Sequence, residues 1–233
     1  LRWGLQQSNN WISAYLISLL GPSQFVNILH DFGLNNPDIE KNTSPVLCLG
    51  PSELSVGEMC SAYTTFVNHG VRCAPIFVTR IEDSHGNVVA KFQPLMNEVI
   101  SEESSFKMLD MLQAVVQGGT GGRLRYHYNL TGEIGGKTGT TNNNSDGWFM
   151  GFTPQLVNGC WVGGEDRDIH FDSTSLGQGA TMALPVWAYY MQMVYADKSL
   201  NYSPNAKFDI PANFDPCKSA EAISINGIQE VYF

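Results

Sequence analysis

The feature that most constrains this chain is a change of hydrophobic period at Gly132. Downstream, residues 133–140, 147–153 and 156–164 read as strands, joined only by Asn142-Asn143-Asn144-Ser145 and by Pro154-Gln155. Links this short allow each segment to pair only with its neighbour, so the three form an antiparallel meander. Upstream the spacing is helical: Phe25, Ile28, Leu29 and Phe32 fall at i, i+3, i+4 and i+7 between Pro22 and Gly33. Helices followed by a meander predict an α+β fold, an antiparallel sheet flanked by helices on both faces, with strand 133–140 at an edge.

Other signals fill in this outline. Ser55 with Glu58 three residues on is a capping-box pattern, opening a helix that buries Val56, Met59, Cys60, Tyr63, Phe66 and Val67 before Gly70. Residues 35–51, rich in Asn, Pro and Ser, predict a surface loop. Residues 76–81 and 88–92 flank Ser84-His85-Gly86-Asn87 and predict a hairpin. A helix over 102–117 ends in the glycine run 118–122, and a last helix over 181–195 tolerates Pro185 near its start. We expect a main domain over 1–196 and a peripheral C-terminal extension over 197–233, where Pro204, Pro211 and Pro216 interrupt a polar sequence.

Composition excludes several classes of function. The chain is 43% hydrophobic, enough for a real core, and its formal charge of −9 repels a polyphosphate, so no nucleic-acid partner is expected. The longest apolar stretch, residues 11–20, is too short to span a bilayer; the chain as given reads as soluble, without a signal peptide or anchor of its own. Cys48, Cys60, Cys73, Cys160 and Cys217 contain no C-x-x-C pair and the histidines are scattered, so neither a metal site, a cofactor nor a disulfide framework is expected. Cys60, at an apolar helix position, and Cys160, in a strand, predict buried free thiols.

The sharpest local motif is Lys137-Thr138-Gly139-Thr140, on the edge strand after Gly135-Gly136. An ammonium there can hold a substrate carboxylate, the threonine hydroxyls add donors, and Gly139 lets a substrate backbone approach. The Thr140 N–H can face a developing oxyanion. Ser8-Asn9-Asn10 supplies an S-x-N string. Ser199-Leu200-Asn201, Ser203-Pro204-Asn205 and Ser224-Ile225-Asn226 match too, but only Ser8 precedes the K-T-G strand and leads into an apolar helix. Helix N-capping is the plain alternative for Ser8. A phosphate-binding loop ending at Gly136-Lys137-Thr138 fails on spacing, because Thr131 stands where its first glycine belongs.

K-T-G with S-x-N is part of the signature of penicillin-binding proteins and class A β-lactamases. The resemblance extends through residues 54–63 and 66–71, Ile81-Glu82-Asp83, Met111 to Val116, Gly119-Thr120-Gly121, residues 136–142 and Asp146 to Pro154. In that order these segments resemble the transpeptidase domain of class A penicillin-binding proteins over about residues 1 to 195. The resemblance implies a penicillin-binding transpeptidase or serine β-lactamase-like fold and a serine enzyme that cross-links peptidoglycan stem peptides and is inhibited by β-lactams. It implies that Ser8, Asn10 and Lys137 are catalytic, with Ser8 relaying protons and Asn10 binding the substrate amide and the catalytic lysine. Lys137 would polarise Ser8 and attract the carboxylate. Thr138, Gly139 and Thr140 would bind substrate. A β-lactamase, a β-lactam sensor and a non-catalytic peptidoglycan-binding scaffold share the same motifs.

One departure matters. The family places S-x-x-K, with the nucleophile, before S-x-N; the S-x-x-K string here, Ser104-Ser105-Phe106-Lys107, follows it and lies in an expected ordinary helix. The fold is therefore expected to be N-terminally incomplete in this chain. Nucleophile, glycosyltransferase domain and membrane anchor would lie upstream, the whole protein sitting at the periplasmic face of the inner membrane.

Overall fold

A computed structural model of the chain describes residues 1–41 and 44–216. Cys217 and the string Ser224-Ile225-Asn226 lie outside them.

Helix α1 (Arg2–Gln6) ends at once, and Ser8 turns the chain in the left-handed region with φ 54. Ser8 N–H donates to Leu5 O and Asn9 N–H to Gly4 O, the paired bonds of a Schellman motif in which a glycine is usual. Asn9 then caps α2 (Asn10–Leu20), its side chain accepting from Trp11 N and Ile12 N. Helix N-capping, the alternative for Ser8, therefore belongs to Asn9. Gly21 (φ 87) bends the chain by 98° into α3 (Pro22–Asp31), and among the described residues no single helix is long and apolar enough to cross a membrane.

The loop expected over 35–51 is more ordered than its composition suggests. It holds α4 (Pro37–Lys41) and a 3-10 turn, Pro45–Leu49, which place Ile39 and Leu47 in a small core with Ile17, Val26, Leu34 and Ala62. Two buried side chains among polar residues show no periodicity, so the sequence carried no helical signal there. Helix α5 (Val56–Val67) starts with the expected capping box: Ser55 N–H donates to Glu58 Oε2 at 2.7 Å, and Glu58 N–H to Ser55 Oγ at 3.2 Å. The residues expected to be buried, from Val56 to Val67, are only half-buried; the fully buried positions are Ser61, Ala62 and Thr65.

Strand β1 (Val71–Cys73) follows, then the ribbon β2 (Arg80–Glu82) and β3 (Val88–Lys91), then β4 (Met96–Glu98), which pairs with β1. The first strand of the expected hairpin is shorter than residues 76–81: Ile76, Phe77 and Val78 are exposed and irregular. Helix α6 (Glu102–Gly118) and the short α7 (Arg123–Tyr126) lead to the meander β5 (Gly135–Thr140), β6 (Asp146–Phe152) and β7 (Val157–Gly163). It is antiparallel in the order β5-β6-β7, with Lys137 opposite Met150 and Phe149 opposite Cys160, so β5 lies at an edge. Helix α8 (Thr174–Gly177) precedes α9 (Gly179–Ala196), which runs across one face while α5 and α6 cover the other.

The main core forms where α9 meets the sheet: Ile134, Phe149, Leu184, Trp187 and Met191 are all but inaccessible. Each such side chain is worth roughly 1.5–3 kcal/mol of burial, so this layer holds the sheet in place. Trp187 lies so close over Gly151 that an added Cβ would stand 2.5 Å from its ring. Pro185 sits inside α9 rather than near its start, because the helix begins at Gly179.

Among the described residues no strand pairs with the far edge of the sheet. Thr153 N–H donates to Leu156 O, so by alternation Val157, Gly159 and Trp161 turn their peptide groups away from β6. Between α5 and α9 this edge borders a hollow of about 380 Å³ lined by Val56, Cys60, Gly159, Cys160, Trp187 and Tyr190. Cys60 and Cys160 are free but only half-buried, contrary to the expectation of burial; among the described residues no further strand pairs with β7.

Candidate active site

Two segments that lie 129 residues apart in sequence meet at one amine. Lys137 Nζ donates to Ser8 Oγ at 2.7 Å and to Thr138 O at 2.8 Å. Alternation along β5 puts Lys137 on the face that α6 covers, where α1 also packs, and the left-handed turn after α1 presents the Ser8 hydroxyl to it. A non-glycine residue in that conformation stores about 1 kcal/mol or more of strain, a recurrent property of functional positions. Partial burial pulls the Lys137 ammonium down from 10.5 to about 8. The amine is thus poised to exchange a proton near neutral pH, in contact with a hydroxyl able to relay it.

The other expected residues are placed as follows. Asn10 is exposed at the first position of α2, on the same turn as Ser8. Thr138 is partly buried, its hydroxyl 2.7 Å from that of Thr120. The Thr140 hydroxyl accepts from Gly179 N–H at 3.0 Å, which leaves its own proton for an outside acceptor. Gly139 is packed closely: an added Cβ would stand 3.0 Å from Trp148 Cβ, and its carbonyl lies against Gly179.

Ser104 and Lys107 are not joined. Ser101 Oγ donates to Ser104 Oγ at 2.9 Å at the start of α6, and Lys107 pairs with Glu103 at 2.8 Å. Thr120 was missed in the sequence, where it stands inside a glycine run that signals only the end of a helix; its neighbour Thr138 is close in space alone. The hollow at β7 lies across the sheet from Lys137 and holds none of these residues.

The family described as penicillin binding protein transpeptidase domain matches residues 1–163. Penicillin-binding protein 1A of Aquifex aeolicus is 34% identical over 214 residues, 91% of this chain and 27% of the relative; that of Neisseria meningitidis is 31% identical over 207 residues, 85% of this chain and 25% of the relative. The chain therefore spans about a quarter of the length of these relatives. The crystal structure of penicillin-binding protein 1A from Haemophilus influenzae superposes with a TM-score of 0.78 at 25% identity, over 99% of this chain and 38% of that one. PonA1 from Mycobacterium tuberculosis, solved in complex with penicillin V, shares the fold with a TM-score of 0.72 at 22% identity, over 92% of this chain and 60% of that one. The arrangement of helices around an antiparallel sheet is thus shared with these proteins, and the chain belongs to the penicillin-binding protein transpeptidase family, with class A proteins of the 1A type among its relatives.

Proposed function

We propose that this chain supplies the S-x-N and K-T-G side of a peptidoglycan D,D-transpeptidase centre. In the reaction a serine attacks the penultimate D-Ala carbonyl of a stem peptide, terminal D-Ala leaves as the amine, and a second amine displaces the acyl group from the serine. The observation that carries this reading is the 2.7 Å contact from Lys137 Nζ to Ser8 Oγ, an amine of lowered pKa touching a hydroxyl relay at the cleft edge. Ser8 passes the proton, Lys137 attracts the substrate carboxylate, Thr138 and Thr140 donate to that carboxylate, and Asn10 binds the substrate amide. β-Lactams, which carry a carboxylate beside a strained amide, compete for the same groups.

We assign the nucleophile to a segment outside this chain. Ser8 has Trp11 rather than a lysine three residues on, and Ser104 is capped by Ser101 while Lys107 is held by Glu103. The outer edge of β7, with which no described strand pairs, and the hollow beside it support the same assignment, since a sheet edge of this kind is usually covered. The whole protein would act at the periplasmic face of the inner membrane, held there by a part outside these residues.

Intact-mass spectrometry with excess benzylpenicillin tests the reading. The full-length polypeptide is expected to gain one drug molecule, and residues 1–233 alone none. An adduct on the isolated chain that maps to Ser104 would overturn the assignment.

A further inference from the structure

We propose that Thr120 is a positioning residue of this centre: its hydroxyl orients the Thr138 hydroxyl toward the substrate carboxylate, while its backbone holds the turn that bears Ser8. The inference rests on the transpeptidase reading and deepens it.

Thr120 touches both halves of the site. Its Oγ1 lies 2.7 Å from Thr138 Oγ1 on β5, and its N–H donates at 3.2 Å to the carbonyl of Gln6, two residues before Ser8. The neighbouring residue is a glycine for a steric reason, because a Cβ at Gly119 would stand 2.2 Å from that same Gln6 oxygen. Residues 119 and 120 thus form a strap from the end of α1 to the K-T-G strand.

Hydroxyl arithmetic sets the direction of the bond. Each threonine has one proton and can accept in two places. Thr138 can give its proton to a carboxylate only if the contact between the two oxygens is supplied by the Thr120 proton. The chain then runs from Thr120 O–H to Thr138 O and from Thr138 O–H to the carboxylate, and each bond polarises the next. Without the Thr120 hydroxyl, Thr138 loses the partner that fixes its rotor and aims its proton outward.

The test uses the full-length polypeptide and two probes, benzylpenicillin and its methyl ester, which lacks the anionic carboxylate. Thr120→Val is expected to slow acylation by benzylpenicillin about tenfold and to change the rate with the ester less than about twofold. Thr120→Ser should restore the wild-type rate within about twofold. Thr138→Val should cost as much as Thr120→Val, and the double variant no more than either, since both remove one hydrogen-bonded chain. If Thr120→Val does not fold, Thr120→Ala removes the same hydroxyl without the branched side chain. Equal losses with both probes, additive losses in the double variant, or no loss at all would each overturn the role of Thr120. Failure of wild-type protein to be acylated would instead overturn the transpeptidase reading beneath it.

Discussion

At the scale of the residue, the proposed function asks two things of Lys137 that depend on its proton in opposite ways. As an ammonium it would attract a carboxylate; as an amine it could take a proton from Ser8. Burial lowers its pKa to about 8, so at pH 7 roughly nine-tenths of molecules carry the ammonium and at pH 9 roughly one-tenth. Carboxylate capture should therefore weaken as pH rises through about 8, and acylation of the full-length polypeptide by benzylpenicillin should fall on that limb. A rate that climbs through the same range would show that the free amine limits the reaction. The sign for folding is opposite. The folded pKa lies below the unfolded one, so the cost of keeping this group charged is fully present below about 8 and is relieved as pH rises toward 10.5. Lys137→Ala should reduce acylation at pH 7 at least tenfold, because a charge-assisted contact is worth on the order of 1.5–3 kcal/mol; an unchanged rate constant would remove Lys137 from the site. The grouping of amine, hydroxyls and glycine in K-T-G was legible in the sequence, because they share one short string. Ser8 was legible as a motif but not as a conformation: its left-handed backbone and the cap at Asn9 arise from how α1 ends.

At the scale of the element, the seat of α9 on β5 decides where the K-T-G strand lies. Gly179 fits there because it has no side chain; a Cβ would stand 2.2 Å from Gly139 O, and Gly179 N–H already donates to Thr140 Oγ1. Gly179→Ala should lift the start of α9 from the strand, destabilising by about 1–3 kcal/mol as overpacking does. Urea denaturation of residues 1–233 should show the midpoint moving down; a midpoint at the wild-type value would mean that the helix end shifts freely. The capping box at Ser55 offers a milder case, in which Ser55→Ala should cost about 1 kcal/mol by the same measurement. That box, α3 and the three meander strands were legible because each carries its own local pattern. The short elements α1, α4, α7, β1 and β4 were not: segments of three to five residues offer less than one full period of either kind.

At the scale of the whole molecule, the described residues after Asp197 reach back to the sheet and to α6. Phe208 N–H donates to Glu133 Oε2 at 2.7 Å, Lys207 pairs with Glu133 at 3.1 Å, and the Phe208 ring stacks edge-on to Phe152 with centroids 6.0 Å apart. Phe214 meets Phe106 of α6 in the same manner at 5.6 Å. Phe208→Ala should therefore lower stability by about 1–2 kcal/mol, a partial burial term, read as a drop in the thermal midpoint; no shift would mean that the Phe208 ring adds nothing to the fold. What the sequence by itself determined is the order of the main elements and the grouping of functional groups in K-T-G, because periodicity, caps and a contiguous motif are local properties of the chain. Tertiary structure alone decided that Ser8 and Lys137 touch, that Thr120 reaches Thr138, and that Cys60 and Cys160 line the hollow beside β7. Those facts depend on which surfaces buried side chains bring together, Leu5 of α1 against Leu109, Leu112 and Phe152 among them, and contacts between distant segments leave no trace in local spacing.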